Sequence, residues 1–146
     1  MTGRSHLLVS RIAQGITIAR LNRPDRLNAL SEEMGHEIIA ICEKVNADPS
    51  CRGLIFTGNE RAFSTGRDLK LSGQHSKAEA KSYLDVAINS VRAVAEVAVP
   101  TCAAIDGHCL GWGFELTLGC DFRVVSKTSA LRFPETALGL FPGAGE

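Results

Sequence analysis

Two glutamates and two glycine-containing turns carry most of the chemistry this sequence can offer. Glu115 stands among Phe114, Leu116 and Leu118, and Glu135 lies between Phe133-Pro134 and Ala137-Leu138. A carboxyl group in apolar surroundings is stripped of hydration, which suits it to exchange a proton with a bound molecule. Two plainer readings stand beside this one: Glu115 as an acid set against a helix N-terminus, and Glu135 as a surface acid beside a proline. The first turn is Ala62-Phe63-Ser64-Thr65-Gly66-Arg67-Asp68-Leu69-Lys70, and the second is Gly107-His108-Cys109-Leu110-Gly111-Trp112-Gly113-Phe114-Glu115. Each follows an apolar run and leads into a helix, where the first backbone N–H groups have no intrahelical acceptor and suit an anionic oxygen. Side by side, two such turns would aim two amides at one oxygen. The plainer reading of Gly111-Trp112-Gly113 is close packing of a helix on a sheet, and its glycines lack the G-x-G-x-x-G spacing of a dinucleotide site.

The elements that position these residues follow from periodicity and capping signals. Residues 7–21 read as two short strands around Gln14-Gly15, and Asn22-Arg23-Pro24-Asp25 breaks the pattern. Ser31 followed by Glu32 and Glu33 is an N-cap with acids against the helix dipole. Met34, Ile38, Ile41 and Val45 then recur at helical spacing, and the helix ends near residues 46–49. Residues 53–57 are a short apolar run of the kind that forms a strand covered on both faces. Ser76-Lys77-Ala78-Glu79 is a capping box opening a second long helix, with Leu84, Ala87, Ile88, Val91, Val94 and Ala95 as its expected buried face and Pro100 as its stop. Residues 101–105 read as a buried strand, 111–119 as a small-residue helix and 122–125 as a further strand. Strands alternating with helices predict an α/β class with a mainly parallel sheet, in one domain spanning residues 1–146 without an internal sequence repeat.

Composition narrows the function classes. The 146 residues are 45% hydrophobic and 22% charged, with Lys+Arg and Asp+Glu both at 16, so no global field attracts nucleic acid or an anionic membrane. The 5% aromatic content also argues against a nucleic-acid partner. A chain of this length buries about 68–70% of its unfolded surface, enough for a real core. Cys42, Cys51, Cys102, Cys109 and Cys120 are odd in number, without CxxC spacing, and sit mostly in apolar stretches, as reduced thiols do. His6, His36, His75 and His108 form no metal-ligand cluster, so no metal is expected. No signal-peptide core and no run near the ~18 apolar residues of a membrane span is present. The expectation is a soluble cytoplasmic protein, or one of the mitochondrial or peroxisomal matrix.

The residues carry a resemblance as well. Residues 21–30 (Leu-Asn-Arg-Pro-Asp-Arg-Leu-Asn-Ala-Leu), 61–70, 100–121 and 133–145 form four ordered blocks that resemble the enoyl-CoA hydratase/isomerase (crotonase) superfamily along essentially the whole chain. The resemblance implies a spiral of ββα units, usually trimeric or hexameric, that binds acyl-coenzyme A thioesters. Coenzyme A is then part of the substrate, and no separate cofactor is expected. It implies an oxyanion hole made by the backbone N–H groups of Arg67 and Trp112. Substrate contacts are implied for Arg26, Leu27, Ala29, Ala62, Thr65, Gly66, Asp68 and Leu69, and for Gly111 and Pro134. Both positions that are glutamate in the family's hydratases are glutamate here, Glu115 and Glu135. That favours water addition across the 2,3-double bond, with Glu135 delivering a proton and Glu115 activating water. Double-bond isomerisation through the same hole, or a non-catalytic acyl-CoA-binding or subunit-binding module, are the alternatives.

Two features depart from the family pattern. Gly111-Trp112-Gly113 replaces three consecutive glycines, which leads to the expectation that the indole reshapes the acyl pocket. The chain also stops in the turn Phe141-Pro142-Gly143-Ala144-Gly145-Glu146, whereas the family has about another hundred residues, including a C-terminal helical portion. Residues 1–146 alone are therefore expected to be poorly soluble or loosely folded, with hydratase activity at least ~10²-fold below a full-length relative.

Overall fold

The computed structural model describes residues 5–72, 76–139 and 141–143. Strand β1 (Leu7–Ile12) folds back antiparallel on β2 (Ile16–Leu21) through a tight turn at Ala13–Gly15, where Gln14 and Gly15 both take positive φ. Helix α1 (Glu32–Asn46) starts as its sequence predicts, with the Ser31 hydroxyl accepting from the Met34 N–H at 3.3 Å, and it buries Met34, Ile38, Ile41 and Val45. Strand β3 (Gly53–Thr57) then pairs parallel with β2. The main sheet continues in parallel through β5 (Thr101–Ile105) to β7 (Phe122–Val125), giving the order β1-β2-β3-β5-β7. The expected α/β class with a mainly parallel sheet is the one observed. Asp121 ties the start of β5 to that of β7, its carboxylate accepting from the Thr101 N–H at 2.7 Å and the Thr101 hydroxyl at 2.9 Å.

A second sheet was not visible in the sequence. β4 (Ala62–Ser64), β6 (His108–Leu110) and β8 (Ala130–Arg132) form a parallel three-stranded sheet in the order β4-β6-β8. The segments read as loops after residues 57 and 105 are therefore short strands, too short for a two-residue period to show. Each long strand is followed by a short one and then by helix: β3-β4 by α2 (Leu69–Ser72) and α3 (Lys77–Ala95), β5-β6 by α4 (Trp112–Leu118), and β7-β8 by a 3-10 turn (Pro134–Leu138). These are three successive ββα turns of a spiral.

Helix α3 carries the predicted capping box at Ser76 and Glu79, but two other readings of it need correction. It ends at Ala95, five residues before Pro100, and its buried face is Tyr83, Val86, Ala87, Ser90, Val91 and Val94. Leu84 and Ala95 are exposed and Ile88 is half-buried. The face is turned because Tyr83 and Ser90 find internal partners for their hydroxyls, which lets polar side chains occupy core positions. The core lies between the main sheet and α1, α3 and α4, with Phe56, Phe63, Leu30, Ile38 and Leu116 fully enclosed. Burial pushes the thiols of Cys42, Cys109 and Cys120 up to about 12, so they act as small apolar side chains. No helix among the described residues is long and apolar enough to cross a membrane.

Candidate functional site

Because β4 and β6 are parallel neighbours, the turns that leave them emerge side by side. The first turn is held from below by the loop of residues 22–30. Leu30 N–H donates to Gly66 O at 2.7 Å, and Asp68 N–H donates to Leu30 O at 3.2 Å. The trans peptide linking Gly66 to Arg67 therefore points its carbonyl at Leu30 and its N–H, that of Arg67, the opposite way. Gly66 sits against the second turn: a β-carbon on it would lie 2.5 Å from Leu110 O and 3.2 Å from Trp112 N. With φ at +81°, it is also in a conformation that favours glycine.

The second turn is anchored by Gly111, whose N–H donates to Arg132 O at 3.0 Å and whose carbonyl accepts from Phe114 N and Glu115 N. Trp112 is the first residue of α4, so its N–H has no intrahelical acceptor. Glu115, in the first turn of the same helix, is 4% exposed. The 3-10 turn after β8 brings Glu135 over Gly111, where a β-carbon would come within 2.4 Å of Glu135 Oε1. Stacking of Phe114 on Phe133, with ring centroids 4.7 Å apart, joins the helix of one glutamate to the turn of the other. Glu135 Oε2 is buried and has no hydrogen-bond partner among the described residues.

A cavity of about 400 Å³ gathers these groups. Eight of the fourteen sequence-derived site residues line it: Thr65, Arg67 and Leu69 from the first turn, Gly111, Trp112 and Glu115 from the second, and Pro134 and Glu135 from the third. Gly66 lies beneath the junction of the first two. Arg26, Leu27 and Ala29 are not among the lining residues; they lie in the supporting loop, where Leu27 O accepts from Thr65 N–H at 3.2 Å. Ala62 is fully buried, its carbonyl accepting from the Asn28 amide at 3.0 Å. The Asp68 carboxylate is buried against Arg23 at 3.0 Å, and Arg23 also donates to Ala29 O. The backbone carbonyl of Ala62 and the side chain of Asp68 thus brace the loops. Asp68→Ala is expected to cost about 3 kcal/mol by stranding a mostly buried guanidinium, read as a lower urea midpoint at unchanged slope.

The expectation for Trp112 needs correction. Its indole is 3% exposed and turned into the core, with Nε1 donating to Ser90 Oγ at 3.1 Å and the ring against Gly35 of α1 and Tyr83 of α3. It completes the packing of α4 on α1 and α3, because Ser90 supplies the polar partner an indole needs when buried.

Sequence reasoning missed the rest of the wall. Tyr83, Leu84, Phe141, Pro142 and Gly143 complete the lining, with Leu84 and Phe141 largely exposed. Tyr83 falls on the helical stripe of Ala87, Val91 and Val94, a signal that was available. Burial pushes its phenol well above the ordinary tyrosine value, so it stays protonated and able to donate. Among the described residues, no group of three His, Cys, Asp or Glu side chains is placed to hold a metal ion.

Comparison with known proteins identifies the family and the fold. The sequence profile of the family described as Enoyl-CoA hydratase/isomerase matches residues 11–146. The chain is 37% identical to the enoyl-CoA isomerase/hydratase fer4 of Mycosarcoma maydis over 134 residues, 86% of this chain and 49% of that protein. It is 37% identical to the human mitochondrial enoyl-CoA hydratase domain-containing protein 2 over 147 residues, 98% of this chain and 50% of that protein. Among solved structures, the enoyl-CoA hydratase of Bacillus anthracis superposes with a TM-score of 0.93 at 32% identity, covering 97% of this chain and 55% of that one. The chain spans about half the length of the curated relatives it matches.

Proposed function

Because the chain belongs to the enoyl-CoA hydratase/isomerase family and has the crotonase fold, we propose that it contributes the reacting half of a hydratase that adds water across the 2,3-double bond of an enoyl-CoA thioester. The observation that supports this reading is that Glu115, Glu135, Arg67 and Trp112 line one cavity. Addition of water to C3 drives an electron pair onto the thioester oxygen, and the two fixed amides stabilise that charge where it develops. Glu115, as carboxylate, takes a proton from the attacking water. Glu135, as carboxylic acid, gives a proton to C2, so the product gains H and OH and the pair of glutamates has moved one proton between them. Glu135 Oε2, which has no hydrogen-bond partner among the described residues, supports this role, since such an oxygen is available to substrate.

The remaining contacts belong to the same proposal. Arg26, Leu27, Ala29, Ala62, Thr65, Gly66, Asp68 and Leu69, with Gly111 and Pro134, would flank the thioester and its coenzyme A carrier, in part through backbone atoms. No cofactor beyond coenzyme A is invoked, and assembly into a homotrimer or hexamer is part of the reading for the longer protein. The fer4 relative is named isomerase/hydratase, which keeps double-bond isomerisation as the second reading.

Parallel assays on 2-enoyl and 3-enoyl thioesters decide between the two. Hydration predicts loss of the conjugated-thioester absorbance of crotonyl-CoA with one solvent oxygen incorporated. Growth of that absorbance from a 3-enoyl thioester, without oxygen incorporation from either substrate, would establish isomerisation instead.

A further inference from the structure

Four residues in and beside the two turns converge on one side chain of α3 that no catalytic role has yet absorbed. Tyr83 is 4% exposed, yet it reaches the cavity and touches the residues of both proposed donors. Its ring meets the Trp112 indole edge to face, with centroids 5.3 Å apart at 74°. The Arg67 guanidinium lies over the same ring, 4.7 Å from its centroid. Its hydroxyl donates to Leu30 O at 2.6 Å and accepts from Asp68 N–H at 3.2 Å.

Those two hydrogen bonds act on the peptide planes either side of Arg67. Asp68 N–H belongs to the plane that follows Arg67, and it is shared between Leu30 O and the phenol. Gly66 O belongs to the plane that carries the Arg67 N–H, and it is held by Leu30 N–H, whose own residue the phenol grips through its carbonyl. We propose that Tyr83 is a positioning residue that keeps the Arg67 amide aligned with the Trp112 amide, so that both reach one carbonyl oxygen. The role rests on the oxyanion reading of the site and adds to it the group that sets the aim of the hole.

A purely structural role is the competing account, and the chemistry of the hydroxyl separates the two. A core ring needs no hydroxyl, and a buried one, once satisfied, adds only a modest share to stability. Here the hydroxyl joins α3 to a carbonyl fifty-three positions away and to the amide beside the donor. The energetic weight of that link falls on direction, and direction is what an oxyanion donor sells least cheaply, since a shift of an ångström costs about 10²-fold in rate.

Tyr83→Phe keeps the ring, its edge contact and the cation, and removes only the hydroxyl. Two measurements are made with an aryl-conjugated enoyl thioester whose absorption moves to the red when its carbonyl is polarised. The parent chain is expected to bind it with a clear red shift. The variant is expected to bind it within about threefold of the parent affinity but to lose most of the shift, and its kcat on crotonyl-CoA should fall by about 10- to 100-fold with KM changed far less. A parent-sized red shift and kcat in Tyr83→Phe would overturn the positioning role and leave the oxyanion reading intact. Absence of any red shift in the parent chain would overturn the oxyanion reading, and the positioning role with it.

Should Tyr83→Phe fail to fold, the chain offers a gentler probe, since Tyr83 is its only tyrosine. Biosynthetic replacement of tyrosine by 3-fluorotyrosine then labels this position alone. Its fluorine resonance is expected to move when the enoyl thioester binds and to stay in place with coenzyme A lacking the acyl group. Equal responses to both ligands would overturn the link between the phenol and carbonyl capture.

Discussion

Gly66→Ala is expected to lower turnover of a 2-enoyl thioester by about 10²–10³-fold, the loss typical of removing one oxyanion donor. The substitution adds a single methyl group, but at a position where φ is +81° and where that methyl would lie 2.5 Å from Leu110 O and 3.2 Å from Trp112 N. The left-handed conformation alone costs an L-residue about 1–2 kcal/mol. Relief of the contact with Leu110 pushes the first turn away from the second, and on the proposed reading the Arg67 and Trp112 amides no longer reach one oxygen. Steady-state kinetics on the variant, with circular dichroism to confirm the fold, check this. Turnover near that of the parent would mean that the two turns move independently, and the two-amide hole would lose its structural basis.

The second large effect belongs to the carboxyls. Glu115→Gln and Glu135→Gln each preserve shape and hydrogen-bonding capacity while removing the ability to exchange a proton, so each is expected to lower hydration by about 10²–10⁴-fold. Acyl-CoA binding should persist in both, because on the proposed reading the thioester is held by backbone amides, which an exchange of carboxyl for carboxamide leaves in place. Glu135→Gln also places an amide nitrogen or oxygen where Oε2 has no hydrogen-bond partner among the described residues, so it breaks no described hydrogen bond of that oxygen. Binding by calorimetry alongside turnover separates the two quantities. A glutamine variant with undiminished hydration would make that glutamate a structural residue and move the assignment toward isomerisation.

How much of this was legible in the sequence depended on how locally each feature is determined. The caps at Ser31 and Ser76, the apolar run of β3 and the breaker at Asn22 to Asp25 are signals contained within a few residues, and they appear in the structure where the sequence places them. β4, β6 and β8 are three residues each, and nothing in three residues distinguishes a strand from a loop. The face of α3 was misjudged because hydrophobicity ranked Leu84 above Tyr83, whereas the fold supplies the tyrosine with Leu30 and Asp68 and leaves the leucine on the cavity wall. Arg23 and Asp68, forty-five positions apart, are two ordinary charges in the sequence and one buried pair in the fold. The candidate site was legible at the level of residue types through the four blocks of resemblance. The direction of the Trp112 indole was not, because it depends on Gly35 and Ser90 from two other helices.

The parallel order β4-β6-β8 turns the backbone into a ruler. Neighbouring strands lie about 4.8 Å apart, a spacing fixed by main-chain hydrogen bonds and indifferent to side-chain identity. The turns that leave these three strands, carrying Arg67, Trp112 and Glu135 in that order, are therefore laid out at strand intervals before any side chain is chosen. Exchanging the side chain that a station presents, as at Glu135, alters what that station does, whereas a methyl at the glycine joint Gly66 shifts one station against the next. On the proposed reading, a scaffold with this property can trade one proton-transfer pattern for another by point substitution while its grip on the carbonyl oxygen stays in place.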